Sequence, residues 1–540
     1  LRKHLLIAAF HGVLLAALSG FAFSAQAGSP EQIIRNNCVG CHIPESDDKL
    51  SRISYQRRTP EGWEMTIARM QLMHHVRISD QEIPITDEVI QKLVKYFADR
   101  QGLAPSETTK YRYILERRLN VIEQHEDDEF AVMCARCHSG ARVALQRRTE
   151  EEWKHLVHFH LGQFPTSEYS SGGRDRNWFE IALKNTVPYL AENYPLDTQA
   201  WQDWQQTKKP KLDGNWRLLG NQPGKGDFQG VMTARATETD NYTLTFSGSY
   251  ANGDTISGEG SAIVYTGYEW RATLRLSGQV YNQVIAADRS GDSMSGRMFL
   301  RDHEETGIQL SANKMNGTSR VMGALPNYVK AGTEQTIRLV GTAMSMSGHI
   351  ELGKGLEITE LISRDSENIL VKVKATKDTV IGQRNIQVGT AQLENALVVY
   401  DRVSHLLVEP NYAVTRVGDN GGSTRKTLAS FQALAFSAGA DGQSNTADDL
   451  RIGYLPTQWS VKAFDQQAEL DQDVKFAGSI DKNTGIFTPA AAGPNPKRKY
   501  STNNAGNLAV VASIEEGETK VTGQGQLLVT VQRWNNPPIR

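Results

Sequence analysis

The chain has 540 residues, enough for about three to five domains of about 100–200 residues each. Its 59 Lys and Arg against 61 Asp and Glu leave a formal net charge of −2 with no basic stripe, which argues against nucleic acid as a partner. Four cysteines in an exported chain would ordinarily be read as two disulfides, so their spacing carries weight.

Export is indicated first. Arg2 and Lys3 precede an apolar stretch from Leu5 to Phe23 that ends at Ala25-Gln26-Ala27. Positive, apolar and small-residue regions in that order predict a cleaved signal over residues 1–27, and with it a periplasmic mature chain. An uncleaved anchor is the alternative, but the stretch only approaches the roughly 20 residues that span a bilayer. No membrane span is expected after cleavage.

Cys38-Val39-Gly40-Cys41-His42 and Cys134-Ala135-Arg136-Cys137-His138 take up all four cysteines. Both match the attachment motif of c-type haem, in which two thiols one turn apart reach two vinyl groups and the next histidine ligates iron. A zinc site or a redox-active cysteine pair uses the same cysteine spacing but leaves the histidine after each pair unexplained. Two covalently bound haem c groups are therefore expected, through Cys38, Cys41, Cys134 and Cys137, with His42 and His138 as axial ligands.

The motifs sit in an internal repeat. Gln56-Arg57-Arg58-Thr59 is followed by Trp63, and Gln146-Arg147-Arg148-Thr149 by Trp153. Thr59 with Pro60, and Thr149 with Glu152, predict helix starts, the second with a capping box. Tyr96-Phe97-Ala98 is echoed by Tyr189-Leu190-Ala191. Each half thus predicts a haem helix, a middle helix and a closing helix, and residues 28–208 read as an all-α dihaem cytochrome c domain of two fused halves.

The sixth iron ligand is expected from the middle helix. At about 100° per residue, Ile67 and Met70 return to the face of Trp63, and Val157 and His160 to the face of Trp153. Pairs His42/Met70 and His138/His160 follow, which would give the two haems different potentials. His74, Met73 and His75 compete in the first half, and His155 and His158 in the second. Arg57, Arg58, Arg147 and Arg148 are candidates for haem propionate contacts, with exposed arginines at a helix start as the commoner alternative.

After Lys208-Lys209-Pro210-Lys211 the pattern alternates, as in Tyr242-Thr243-Leu244-Thr245-Phe246, with Asn252-Gly253 as a hairpin turn. Residues 212–324 predict an antiparallel β-barrel or sandwich. Residues 325–409, after Leu325-Pro326, and residues 410–540, after Glu409-Pro410, predict two Ig-like sandwiches. The loop at residues 441–449 is dense in oxygen ligands that could suit calcium, though a solvated turn rich in Asp and Asn is the simpler reading.

Two fused cytochromes ahead of three β domains, carried by the Cys38/Cys41/His42 and Cys134/Cys137/His138 motifs, resemble the α subunit of quinohemoprotein amine dehydrogenase. The resemblance covers nearly the whole mature chain, and the β tail narrows it from the many dihaem cytochromes. It implies a heterotrimer with a β-propeller subunit and a small subunit bearing cysteine tryptophylquinone. The small subunit would oxidise primary amines, and the haems of this chain would pass electrons to a periplasmic copper protein or cytochrome c. A dihaem subunit of another periplasmic dehydrogenase, or a haem-bearing adhesion or sensor protein, remain the rival readings.

Overall fold

Two sets of helices, one per repeat, open the chain. In the computed structural model the described residues are 28–73, 85–169, 174–421, 424–439 and 441–531. The signal expected over residues 1–27, His74, His75 and the side chain of Met73 lie outside what is described.

The first half holds helices Pro30–Asn37, Pro60–Met73 and Asp87–Arg100. Ser29 starts the first, accepting from the Gln32 N–H while its own N–H donates to the Gln32 side chain. Ile33, Ile34, Trp63, Ile67, Val89, Leu93 and Phe97 form the core between the three, with Trp63 stacked on Phe97 at 4.8 Å. The second half repeats this with Asp128–Cys134 and Glu150–Gln163 around Phe130, Met133, Trp153, Val157 and Leu190.

Its closing helix differs. Trp178–Ile181 and Val187–Asn193 are joined by a π-helical turn at Ala182–Thr186. Pro188 has no N–H for the Lys184 carbonyl and its ring crowds that turn, so the helix widens there.

The expectation of an all-α cytochrome domain over residues 28–208 is corrected by two small sheets. Pro44–Ser46 and Lys49–Leu50 form a hairpin, and Gln56–Arg58 pairs antiparallel with Gln146–Arg148, setting Arg57 opposite Arg147. The equivalent tripeptides of the two repeats thus hydrogen-bond to each other across the junction. Extended backbone is favoured at Thr59 because it precedes Pro60. At Thr149, which sits in the β region, the side chain caps the following helix by accepting from the Glu152 N–H. The full capping box does not form, because the Glu152 carboxylate turns to Arg52 and Arg148.

The rest of the chain is dominated by strands. Eight antiparallel strands from Gly214–Gln222 to His303–Lys314 close into a barrel, the last pairing with the first through Gln309 and Asn221. Of the two forms expected for this segment the barrel is the one found, and Gly253, at φ +91°, makes the turn after Tyr250. Side chains such as Trp216, Phe228, Trp270 and Leu310 fill it. Trp201 and Trp204 of the helix Gln199–Gln206 join the same core, so the helical module is seated on the barrel.

Two four-stranded sheets follow, with Ile337, Leu339, Val371, Val373, Ile386 and Leu397 between them. The last segment carries sheets of three, four and three strands around Phe431, Trp459, Phe487 and Leu527. Pro326 and Pro410 each lie where the chain crosses between sheets, from Arg320–Leu325 to Tyr328–Lys330 and from His405–Glu409 to Tyr412–Arg416. No helix among the described residues is long and apolar enough to cross a membrane.

Candidate functional site

Each Cys-x-x-Cys-His segment lies at the end of its half's first helix. In the first, Cys38 ends the helix Pro30–Asn37 and its carbonyl accepts from the N–H groups of Cys41 and His42. That turn sets both thiols and the imidazole on the wall of a cavity of about 570 Å³, which Trp63, Ile67 and Met70 of the middle helix also line. Cys134, Cys137 and His138 line a second cavity of about 830 Å³ together with Trp153, Val157 and His160. Both volumes fall in the usual range of about 300–1,000 Å³ for cofactor sites.

The histidines share one geometry. Nδ1 of His42 lies 3.0 Å from the Ser51 carbonyl, Nδ1 of His138 2.9 Å from that of Ser139, and Nδ1 of His160 2.8 Å from that of Leu156. A carbonyl only accepts, so each Nδ1 carries the proton and donates it, and the lone pair sits on Nε2. This is how metal-binding imidazoles are commonly oriented. Burial pushes the His160 imidazolium below its ordinary pKa, and the nearby cations Arg69 and Arg142 push the same way against the Leu156 carbonyl. His160 is therefore neutral near pH 7, the form that binds iron.

Burial pushes the Cys38 thiol up to about 11 and the Cys134 thiol up to about 12, so neither is the low-pKa thiolate of a redox-active pair. None of the four is in a disulfide. Among the described residues no group of three or more His, Cys, Asp and Glu side chains converges as a metal site. In the loop at residues 441–449 the carboxylates of Asp441 and Asp449 accept from the N–H groups of Gln443, Asn445 and Thr446.

Met70 is thus brought to the cavity of Cys38, Cys41 and His42, and His160 to that of Cys134, Cys137 and His138. His155 and His158, although on the second half's helix, line the first cavity instead.

The four arginines of the repeat divide. Arg57 and Arg147 line neither cavity. Both are buried on Glu107: Arg57 forks onto it at 2.9 and 3.0 Å, and Arg147 Nε reaches it at 3.1 Å. Arg148 lines the first cavity while paired with Glu152, and Arg58 lines both cavities with only Gln56 as its side-chain partner among the described residues.

Arg69 and Arg142 were not singled out from the sequence, and nothing in the repeat marks them. Arg69 lines both cavities and Arg142 the second. Among the described residues neither has a carboxylate in ion-pair reach. The Nε1–H of fully buried Trp153 also lacks a partner there, whereas its counterpart on Trp63 donates to the Gln101 carbonyl at 3.1 Å. Partly buried cations without counter-charges are costly. The carboxylates of a haem would supply them, so the residues present fit that group.

Two cavities of this make at the head of a chain of β domains define the class, a haem-binding protein. Four family models match in chain order: quinohemoprotein amine dehydrogenase A, alpha subunit, haem binding, over residues 28–201, and the alpha subunit's domains II, III and IV over residues 209–315, 318–401 and 406–539. The chain belongs to the quinohemoprotein amine dehydrogenase alpha subunit family.

No curated protein matches the chain. Among solved structures it is similar to a de novo designed fluorescence-activating beta barrel at 21% identity over 19% of this chain and 92% of that one, TM-score 0.17. It is similar to SGBP-B of the Bacteroides ovatus mixed-linkage glucan utilization locus at 11% identity over 62% and 70%, TM-score 0.20. Drosophila N-cadherin EC1-3 follows at 12% identity over 46% and 85%, TM-score 0.20. At such scores these likenesses carry no argument.

Proposed function

We propose that this chain is the dihaem electron-transfer subunit of a periplasmic amine dehydrogenase, holding one covalently attached haem c in each cavity. The observation that carries this reading is the placement of both cysteines and the histidine of one Cys-x-x-Cys-His motif on the wall of each of two adjacent cavities. Bound haem supplies one-electron chemistry at iron. The chain's own part is to orient and insulate it: Ser51 and Ser139 carbonyls fix His42 and His138, while Met70 and His160 stand ready as sixth ligands.

Unlike ligand pairs would set the two sites at different potentials, the Met-ligated one higher, which favours passage of electrons in one direction. Amine oxidation belongs, on this reading, to a small subunit bearing cysteine tryptophylquinone. A β-propeller subunit completes the heterotrimer, and a periplasmic copper protein or cytochrome c takes the electrons. Isolation of the native complex tests this. Two haems per chain and a copurifying quinone-bearing subunit are expected, and a pure dihaem chain with no such subunit contradicts the amine dehydrogenase role.

A further inference from the structure

The two cavities are not separate compartments. Arg58, Arg69, Leu156 and Phe159 line both, so the partition between them is about one layer of side chains thick. Within it the Arg69 guanidinium lies over the Phe159 ring, 4.7 Å from its centroid. The middle helices of the two halves, Pro60–Met73 and Glu150–Gln163, each contribute one member of this pair.

From this geometry we infer that Arg69 is a positioning cation shared by both haems, raising the potentials of the two together. The inference rests on the dihaem reading above. A positive charge beside a haem favours the reduced state, in which the iron has gained one electron. Among the described residues no protein carboxylate pairs with Arg69, so its charge is left to act on the haems themselves, their carboxylates included. Phe159 holds the guanidinium by its ring face, a contact that fixes the side chain without cancelling its charge. Arg58, the other cation common to both cavities, is tied to Gln56, and Arg142 lines only the second.

The test is a redox titration of the mature full-length holoprotein, followed through its haem absorbance with dithionite as electron donor and ferricyanide as acceptor. Arg69→Gln and Arg69→Lys are compared with wild type and with Arg100→Gln, a surface arginine that lines neither cavity. Haem content per chain is measured on each sample. In Arg69→Gln both midpoints are expected to fall, each by about tenfold in the one-electron equilibrium, or about 59 mV. Arg69→Lys should stay near wild type, as a merely structural role for the guanidinium would not allow.

Two haems per chain with one or neither midpoint moved overturns the shared role alone. Fewer than two haems in the wild-type chain overturns the dihaem reading and the inference with it. If Arg69→Gln does not fold, Arg69→Met takes its place: both midpoints lowered while Arg69→Lys stays at wild type support the charge, and midpoints unmoved in Arg69→Met refute it.

Discussion

Replacing Glu107 by glutamine should uncouple the two halves of the haem module. Glu107 is 8% exposed and accepts five hydrogen bonds, two from Arg57 and one each from Arg147, Thr198 and the Ala104 N–H. Burial acts to raise its pKa, but the hydrogen bonds from Arg57 and the charges of Arg147 and Arg57 outweigh it, so the carboxylate is held below its ordinary range and is charged at neutral pH. Glutamine keeps the shape and removes the charge, stranding two guanidinium groups in the interior. Breaking a buried pair in this way costs about 3–5 kcal/mol.

In guanidinium chloride, with a slope of about 4 kcal/mol per M, the midpoint should fall by about 1 M. Haem absorbance is the appropriate probe because it reports the helical module, and a chain of several domains will not unfold in one step. Glu31→Gln, an exposed carboxylate 3.9 Å from Arg100, serves as control and should change stability by less than about 0.5 kcal/mol. Adding Arg147→Met to Glu107→Gln should recover part of the loss by removing one stranded charge. A Glu107→Gln midpoint indistinguishable from that of Glu31→Gln would refute the reasoning.

The barrel is joined to the module by Glu269, which pairs with Arg112 at 2.6 Å and Arg271 at 2.7 Å. Burial opposes its charge, yet those two cations hold its pKa at about 2 against an ordinary 4.5. A depressed carboxylate stabilises fully above pH 4.5 and loses that contribution as pH falls toward 2, roughly 3 kcal/mol in all. Acid unfolding of wild type should therefore be steeper in this window than that of Glu269→Gln, and equal slopes would count against the junction. Gly258→Ala would set a Cβ 2.0 Å from the Arg275 carbonyl, so barrel melting followed by circular dichroism should show a loss of about 1–3 kcal/mol. Met70→Ala should lower the potential of one haem and leave the other within error, read by the same redox titration, while a shift in neither would remove Met70 from the iron.

Much of this architecture is written locally, and the parts that are not share a cause. The two haem motifs, the Thr149 cap and the Asn252-Gly253 turn depend on residues a few positions apart, and short-range rules reach them. The role of Arg57 and Arg147 does not: their partner Glu107 is 50 and 40 residues away and lies outside the motifs that mark the repeat. The pairing of Gln56–Arg58 with Gln146–Arg148 is equally non-local, and a tripeptide has no periodicity to betray a strand. Counting residues around a helix put Met70 and His160 on the faces that line the cavities. It could not show that His155 and His158 reach the neighbouring cavity, because that depends on how the two middle helices pack.

The most direct test is the intact mass of the denatured, acid-extracted chain after maturation with haem. One covalent haem on each Cys-x-x-Cys-His segment predicts the polypeptide plus two haems, falling to one when Cys38 and Cys41 are both changed to alanine and to one when Cys134 and Cys137 are. A chain that emerges without haem would contradict the account at its centre.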